Sequence, residues 1–150
     1  MKPFNENTEN KLNDLVEKAY DAEKGFKKVA AHVDNPRLKT FFNEKALERS
    51  GYINELTSTL RAQGMNVTED DGSVAGSLHR AWIDTKAFFS IDNDESMLEE
   101  VRTGEKAAVK DYEDVINNYE LNPAVKNVLL KQKNAIELSS NKADYLEHIH

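Results

Sequence analysis

The chain has 150 residues, of which 31% are charged and 39% apolar, with six Gly, three Pro and a net charge of −7. This length suits one domain with a hydrophobic core, residues 1–150, and the composition is typical of a helical protein rather than a β-sandwich or a disordered chain. The acidic balance argues against nucleic acid and anionic membranes as partners, and the absence of cysteine excludes disulfides, zinc–thiolate sites and thiol nucleophiles.

The first half of the chain predicts a helical hairpin. Apolar residues recur at steps of three and four over about residues 5–33, which predicts a long helix whose buried stripe contains one charged residue, Glu23. An Asn-Pro pair follows, and it favours the start of a second helix because Asn caps helices and Pro suits their first position. This second helix is predicted over about residues 36–63, with Arg49 as the charged member of its stripe and Gly64 as its C-terminal stop.

Residues 65–94 are predicted to form a long connection that carries a short helix over residues 73–89. His79, Arg80 and Trp82 lie on this helix. We interpret them as packing residues, because the small residues before them would let the helix lie close to the bundle while Trp82 fills a groove. The alternative is a small anion site, in which backbone N–H groups at the helix start act together with Arg80.

The second half of the chain repeats the pattern of the first. A third helix begins near residue 95 with Glu105 in its buried stripe, and a fourth follows a second Asn-Pro pair with Gln132 on its inner face. The positions of the two glutamates and of the two Asn-Pro pairs indicate a duplicated hairpin. Two hairpins joined by a crossover of about 30 residues form a four-helix bundle with one long connection, the ferritin-like arrangement. The predicted fold class is therefore an all-α, ferritin-like four-helix bundle with a short extra helix in the crossover.

Three segments carry a family resemblance. They are Asp-Ala-Glu-Lys-Gly-Phe at 21–26, Gly-Ser-Val-Ala-Gly-Ser-Leu-His-Arg-Ala-Trp at 72–82, and Leu-Glu-Glu-Val at 98–101 followed by Gly-Glu at 104–105. They resemble the signature segments of a bacterial family of ferritin-like four-helix-bundle proteins that is catalogued as a domain of unknown function. The resemblance covers about residues 10–146 and implies the ferritin-like fold. It implies no established activity, and so no catalytic residues.

One hypothesis for the bundle centre is an iron or manganese site. A di-metal carboxylate centre takes one Glu from each of two helices and a Glu-x-x-His from each of the other two. Glu23 and Glu105 occupy positions suited to the first pair of ligands. Glu48 and Glu137 are the candidates for the second pair, but neither is followed three residues later by His, so the ligand set is incomplete.

The competing hypothesis is a polar core without metal. A buried carboxylate is costly unless it is paired or protonated. Arg49 is predicted at a similar depth and can neutralise Glu23 or Glu105 through a two-pronged contact. The other residues assigned to this polar core are Tyr52, Tyr112 and Gln132.

Two functional classes therefore stay open. The first is a non-catalytic bundle without cofactor that acts in binding or scaffolding, in stress physiology if the ferritin resemblance extends so far. The second is a redox or metal-storage protein that holds Fe or Mn through its glutamates. No apolar run reaches the roughly 18 residues of a membrane-spanning helix, and we expect a cytoplasmic protein. The aromatic residues Trp82, Phe88 and Phe89 predict a homodimer through an exposed apolar patch.

Overall fold

The computed structural model describes residues 5–67 and 94–146, with side chains up to residue 141. These residues form four helices and no strand: α1 (Glu6–His32), α2 (Pro36–Ala62), α3 (Asp94–Asn118) and α4 (Pro123–Leu146). Over the described residues, the prediction of an all-helical fold with four long helices is confirmed; the bounds of the first two helices and the starts of the other two agree with the predictions within one or two residues. The predicted crossover helix lies outside the described residues, together with His79, Arg80, Trp82 and the aromatic patch.

Both Asn-Pro corners are built in the same way. The Oδ1 atom of Asn35 accepts a hydrogen bond from the backbone N–H of Arg37 at 2.9 Å, and that of Asn122 accepts one from Val125 at 3.0 Å. Each bond satisfies a backbone donor in the first turn of a helix, where no carbonyl of the helix itself is in reach. The caps thus explain why α2 and α4 begin directly after these asparagines.

The end of α2 depends on a glycine. Gly64 has a φ of 86°, a left-handed conformation that costs an L side chain energy. Its N–H donates to the carbonyl of Arg61, and the N–H of Met65 donates to the carbonyl of Leu60, both at 3.0 Å. This pair of bonds is a Schellman motif, and the buried Met65 packs in the same apolar cluster as Leu60.

The same asparagines also tie the two hairpins together. Asn35 Nδ2 donates to Asp94 Oδ2 at 3.0 Å, so α3 starts at the corner between α1 and α2. Asn122 Nδ2 donates to Gln63 Oε1 at 3.0 Å, so α2 ends at the corner between α3 and α4. Helices α2 and α3 therefore run in the same direction, and the end of α2 lies at the opposite end of the bundle from the start of α3.

Packing between the helices creates two apolar clusters. Within each hairpin α1 packs on α2 and α3 on α4, while α2 also contacts α4 and α1 contacts α3. One cluster surrounds Phe26, Phe42 and Leu98, and the other surrounds Leu56 and Leu129. Along α2 and α3, the buried Arg49 and Glu105 lie between the residues of the first cluster and those of the second. None of the described helices has an apolar segment long enough to cross a membrane.

Candidate functional site

An ion pair between α2 and α3 occupies the centre of the bundle. Arg49 and Glu105 have side chains that are only 2% and 1% exposed. Arg49 Nη2 donates to Glu105 Oε1 at 2.6 Å, and Nη1 donates to Oε2 at 3.3 Å. The guanidinium carbon lies 5.7 Å from the centroid of the Phe26 ring, within the range of a cation–π contact. The carboxylate therefore receives a two-pronged, charge-assisted contact inside the apolar core.

The pair keeps the arginine charged in this dry environment. Burial, the largest single effect, lowers the pKa of Arg49, but the Glu105 carboxylate, with smaller contributions from Tyr112 and Tyr52, raises that pKa above its ordinary value. Taking two charges out of water is costly, and their mutual attraction offsets the cost only while both partners stay in place. Glu105 and Arg49 thus depend on one another, and any ligand that claims the carboxylate must first separate it from the guanidinium.

A second set of hydrogen bonds links three helices beside this pair. The Tyr112 hydroxyl of α3 donates to Gln132 Oε1 of α4 at 2.7 Å. Gln132 Nε2 in turn donates to the backbone carbonyl of Tyr52 at 3.0 Å and to Glu55 Oε1 at 3.2 Å, both on α2. Burial raises the pKa of Tyr112 to about 12, so its hydroxyl stays a donor at neutral pH. Gln132 therefore satisfies a buried tyrosine and joins α4 to the other hairpin.

Glu48 forms a separate cluster at the interface of α2 and α4. Its Oε1 atom accepts hydrogen bonds from Lys45 Nζ at 3.2 Å and from the Tyr52 hydroxyl at 3.1 Å, and it lies 3.4 Å from Ser139 Oγ. Burial lowers the pKa of Lys45, although the Glu48 carboxylate opposes this effect. Burial also raises the pKa of Tyr52, and Glu48 adds to that shift. Glu48 is thus a partly exposed carboxylate that serves as the common acceptor of its neighbours.

Glu23 and Glu137 lie apart from the central pair. The Glu23 side chain is 16% exposed, and its Oε2 forms an ion pair with Lys27 Nζ at 3.8 Å, one turn later on α1. Glu137 is 50% exposed and pairs with Lys133 at 3.0 Å on α4. Of the two glutamates predicted as partners of Arg49, Glu23 and Glu105, only Glu105 contacts it. The structure therefore does not bring together the four carboxylates of the predicted metal site.

The residues present do not fit a di-metal carboxylate centre. Across residues 5–67 and 94–146, no three His, Cys, Asp or Glu side chains are grouped so that they could hold a metal ion. Both carboxylate oxygens of Glu105 face the Arg49 guanidinium, and a fixed positive charge at that distance repels a divalent cation. The Glu105 carboxylate thus binds the Arg49 guanidinium rather than a metal ion.

Sequence reasoning missed two polar residues of this region. Lys45 is almost fully buried, with its ammonium group 5.8 Å from the Phe41 ring centroid, and Glu55 supplies an acceptor to Gln132 and an ion pair to Lys131. Lys45 precedes Glu48 by three residues, a spacing at which opposite charges meet on a helix, and this was the available signal. Nothing in the sequence pattern distinguishes Glu55 from the exposed glutamates of the same helix.

Comparison with known families places most of this chain within one family model. The family model described as "Domain of unknown function (DUF2383)" matches residues 7–118 of this chain. The match covers most of the sequence, and the chain belongs to this family. It spans α1, α2 and α3, and therefore includes both partners of the central ion pair. The predicted membership in a family catalogued as a domain of unknown function is confirmed. A comparison with curated proteins gave no match.

Proposed function

We propose that this member of the DUF2383 family is a non-catalytic bundle of ferritin-like fold that acts in binding or scaffolding rather than in metal storage or redox chemistry. The observation that carries the proposal is the buried Arg49–Glu105 pair. A ferritin-like di-metal centre uses inward-facing carboxylates at the middle of the bundle. Here the inward-facing carboxylate of α3 is bound to an arginine of α2.

The directions of the helices support the ferritin-like part of the proposal. Because α2 and α3 run in the same direction, the four helix pairs that pack most extensively in the described bundle are all antiparallel: α1 with α2, α3 with α4, α1 with α3, and α2 with α4. A bundle of two antiparallel hairpins whose second and third helices are parallel needs one long connection between them, which is the ferritin-like topology. The sequence provides that connection between Gln63 and Asp94.

The energetics of the central pair support the non-metal part. Coordination of a metal by Glu105 would require its separation from Arg49, which would leave a guanidinium inside the apolar core without a counter-charge. Stranding a buried charge costs about 3–5 kcal/mol. The other candidate ligands would also have to leave ion pairs, Glu48 with Lys45 and Glu137 with Lys133. Metal binding would therefore work mainly against the buried Arg49–Glu105 pair, which joins α2 to α3, because the other two pairs lie within single helices and are partly exposed.

Anaerobic loading with ferrous iron tests the proposal. The protein is incubated with excess Fe²⁺, desalted without chelator, and assayed for bound iron per chain. We expect substoichiometric iron in the wild type, unchanged in Glu23→Ala. Glu99→Ala is the matched control, because Glu99 is an exposed helical glutamate with a local ion pair to Arg102, just as Glu23 pairs with Lys27. Stoichiometric iron that is lost in Glu23→Ala and retained in Glu99→Ala would overturn the proposal.

A further inference from the structure

A cavity of about 350 Å³ lies between α1 and α3. It exists because these helices face each other through small side chains, which leave space that larger residues would fill. The small lining residues are Ala19, Ala22, Gly104, Ala107 and Ala108. The volume is at the lower end of the range of about 300–1,000 Å³ found for sites of small organic ligands, and mostly apolar walls are typical of such sites.

The inner end of the cavity is lined by Arg49 and Tyr112, two buried side chains that carry hydrogen-bond donors. A guanidinium has five N–H donors. Within the part of the chain that the structure describes, Arg49 makes two hydrogen bonds, and both go to Glu105. The arginine therefore keeps donor groups without a protein acceptor while it borders an apolar cavity. Arg49 lines the cavity, so a molecule there that brings an acceptor oxygen to its remaining N–H groups gains a charge-assisted hydrogen bond.

The charges around the cavity decide which acceptor fits. At the outer end Lys18 Nζ lies 3.2 Å from Asp111 Oδ2, an ion pair that joins α1 to α3, and 3.4 Å from Asp14 Oδ2. At the inner end Arg49 is paired with Glu105. Among the described residues that line the cavity, both cations are thus already compensated by carboxylates. A buried anion would therefore gain no unneutralised positive charge from the described lining and would meet the field of Glu105, whereas a neutral acceptor avoids that cost.

We propose that this cavity binds a small neutral organic molecule with an apolar body and a carbonyl-type oxygen, which accepts a hydrogen bond from Arg49. The apolar body lies against the alanines of α1 and α3, and the oxygen reaches the arginine. The inference deepens the proposed function and rests on it, because Arg49 can present its remaining donors only while Glu105 holds it in place. A metal ion bound by Glu105 would disrupt both the Arg49–Glu105 pair and the proposed ligand site.

Three probes of similar size separate the contributions to binding. Acetophenone has the aromatic body and a carbonyl, ethylbenzene lacks the oxygen, and benzoate replaces the neutral carbonyl with a charged group. Each is titrated into the isotope-labelled protein, and the backbone amide signals of Gly104 and Ala108 are followed by NMR. We expect saturable shifts with acetophenone, binding of ethylbenzene that is about tenfold weaker, and weaker binding still of benzoate.

Two alanine variants locate the binding. Ala107 and Ala31 are both exposed helical residues, but only Ala107 lines the cavity. Ala107→Leu is expected to weaken acetophenone binding about tenfold, and Ala31→Leu to leave it unchanged. Absence of saturable shifts with all three probes, or equal binding by Ala107→Leu and wild type, would overturn the cavity assignment. Tighter binding of benzoate than of acetophenone would overturn the neutral-acceptor class. None of these results requires iron binding, so the iron assay judges the proposed function separately.

Discussion

Replacement of Arg49 by leucine tests the physical basis of the central site. The variant leaves the Glu105 carboxylate, 1% exposed, without the two hydrogen bonds and the counter-charge that it receives from the guanidinium. Stranding a buried partner in this way costs about 3–5 kcal/mol, a large part of the roughly 5–15 kcal/mol that stabilises a typical domain. Leucine is shorter than arginine and lacks the guanidinium that lies over the Phe26 ring, so some lost packing adds to the electrostatic loss.

Urea denaturation followed by circular dichroism measures this effect. The double variant Arg49→Leu, Glu105→Leu removes both charges, and we expect it to recover most of the stability lost in the single variant, because apolar residues often replace a buried ion pair without net cost. The exposed Arg61→Leu is the control, with an expected change of about 0.5 kcal/mol or less. A loss below about 1 kcal/mol in the single variant, or a double variant no more stable than the single one, would refute the reasoning.

Three further outcomes are expected from urea melts. Gly64→Ala should destabilise the protein by about 1–2 kcal/mol, because Gly64 has a φ of 86°. Gly51→Ala should stabilise it by up to about 1 kcal/mol, since Gly51 is an exposed helical residue whose added Cβ meets nothing within 4 Å. Equal effects of the two variants would contradict the backbone explanation. Asn122→Ala should cost about 1–2 kcal/mol through loss of the α4 cap and of the bond to Gln63, and no change would refute the role of that corner. Folding raises the pKa of Tyr112 from 10.0 to about 12, so its contribution to stability is present below pH 10 and is lost as the pH rises to 12. Over that range the free energy of unfolding should fall by roughly 2–3 kcal/mol more in the wild type than in Tyr112→Phe. Parallel pH profiles of the two proteins would exclude this linkage.

The helices were predictable because their signals are local. Asn35 and Asn122 are followed by Pro and begin helices whose first turns they cap, and Gly64 ends α2 through backbone geometry that few other residues adopt. Periodic apolar residues identified the buried faces of α1 and α2, since a helix can bury only one stripe against its neighbours. All of this depends on residues within a few positions of one another.

The polar core was only partly predictable, and Glu23 shows why. Glu23 and Glu105 hold equivalent places in the sequence repeat, yet Glu105 is 1% exposed against Arg49 while Glu23 is 16% exposed beside Lys27. A spacing of three and four residues assigns a side chain to a broad face of the helix, but it does not distinguish a residue at the edge of that face from one at its centre. The rotation and contact of each helix against its neighbours decide which of the two carboxylates reaches the arginine.

By itself, the sequence determined the number, the starts and the buried faces of the described helices, because capping, backbone conformation and periodicity act over a single turn or a single helix. Tertiary structure decided which glutamate pairs with Arg49, that Gln132 accepts a hydrogen bond from Tyr112, and that a cavity remains between α1 and α3. Those outcomes depend on distances between helices that are far apart along the chain, and such distances follow from how the side chains of two hairpins pack together.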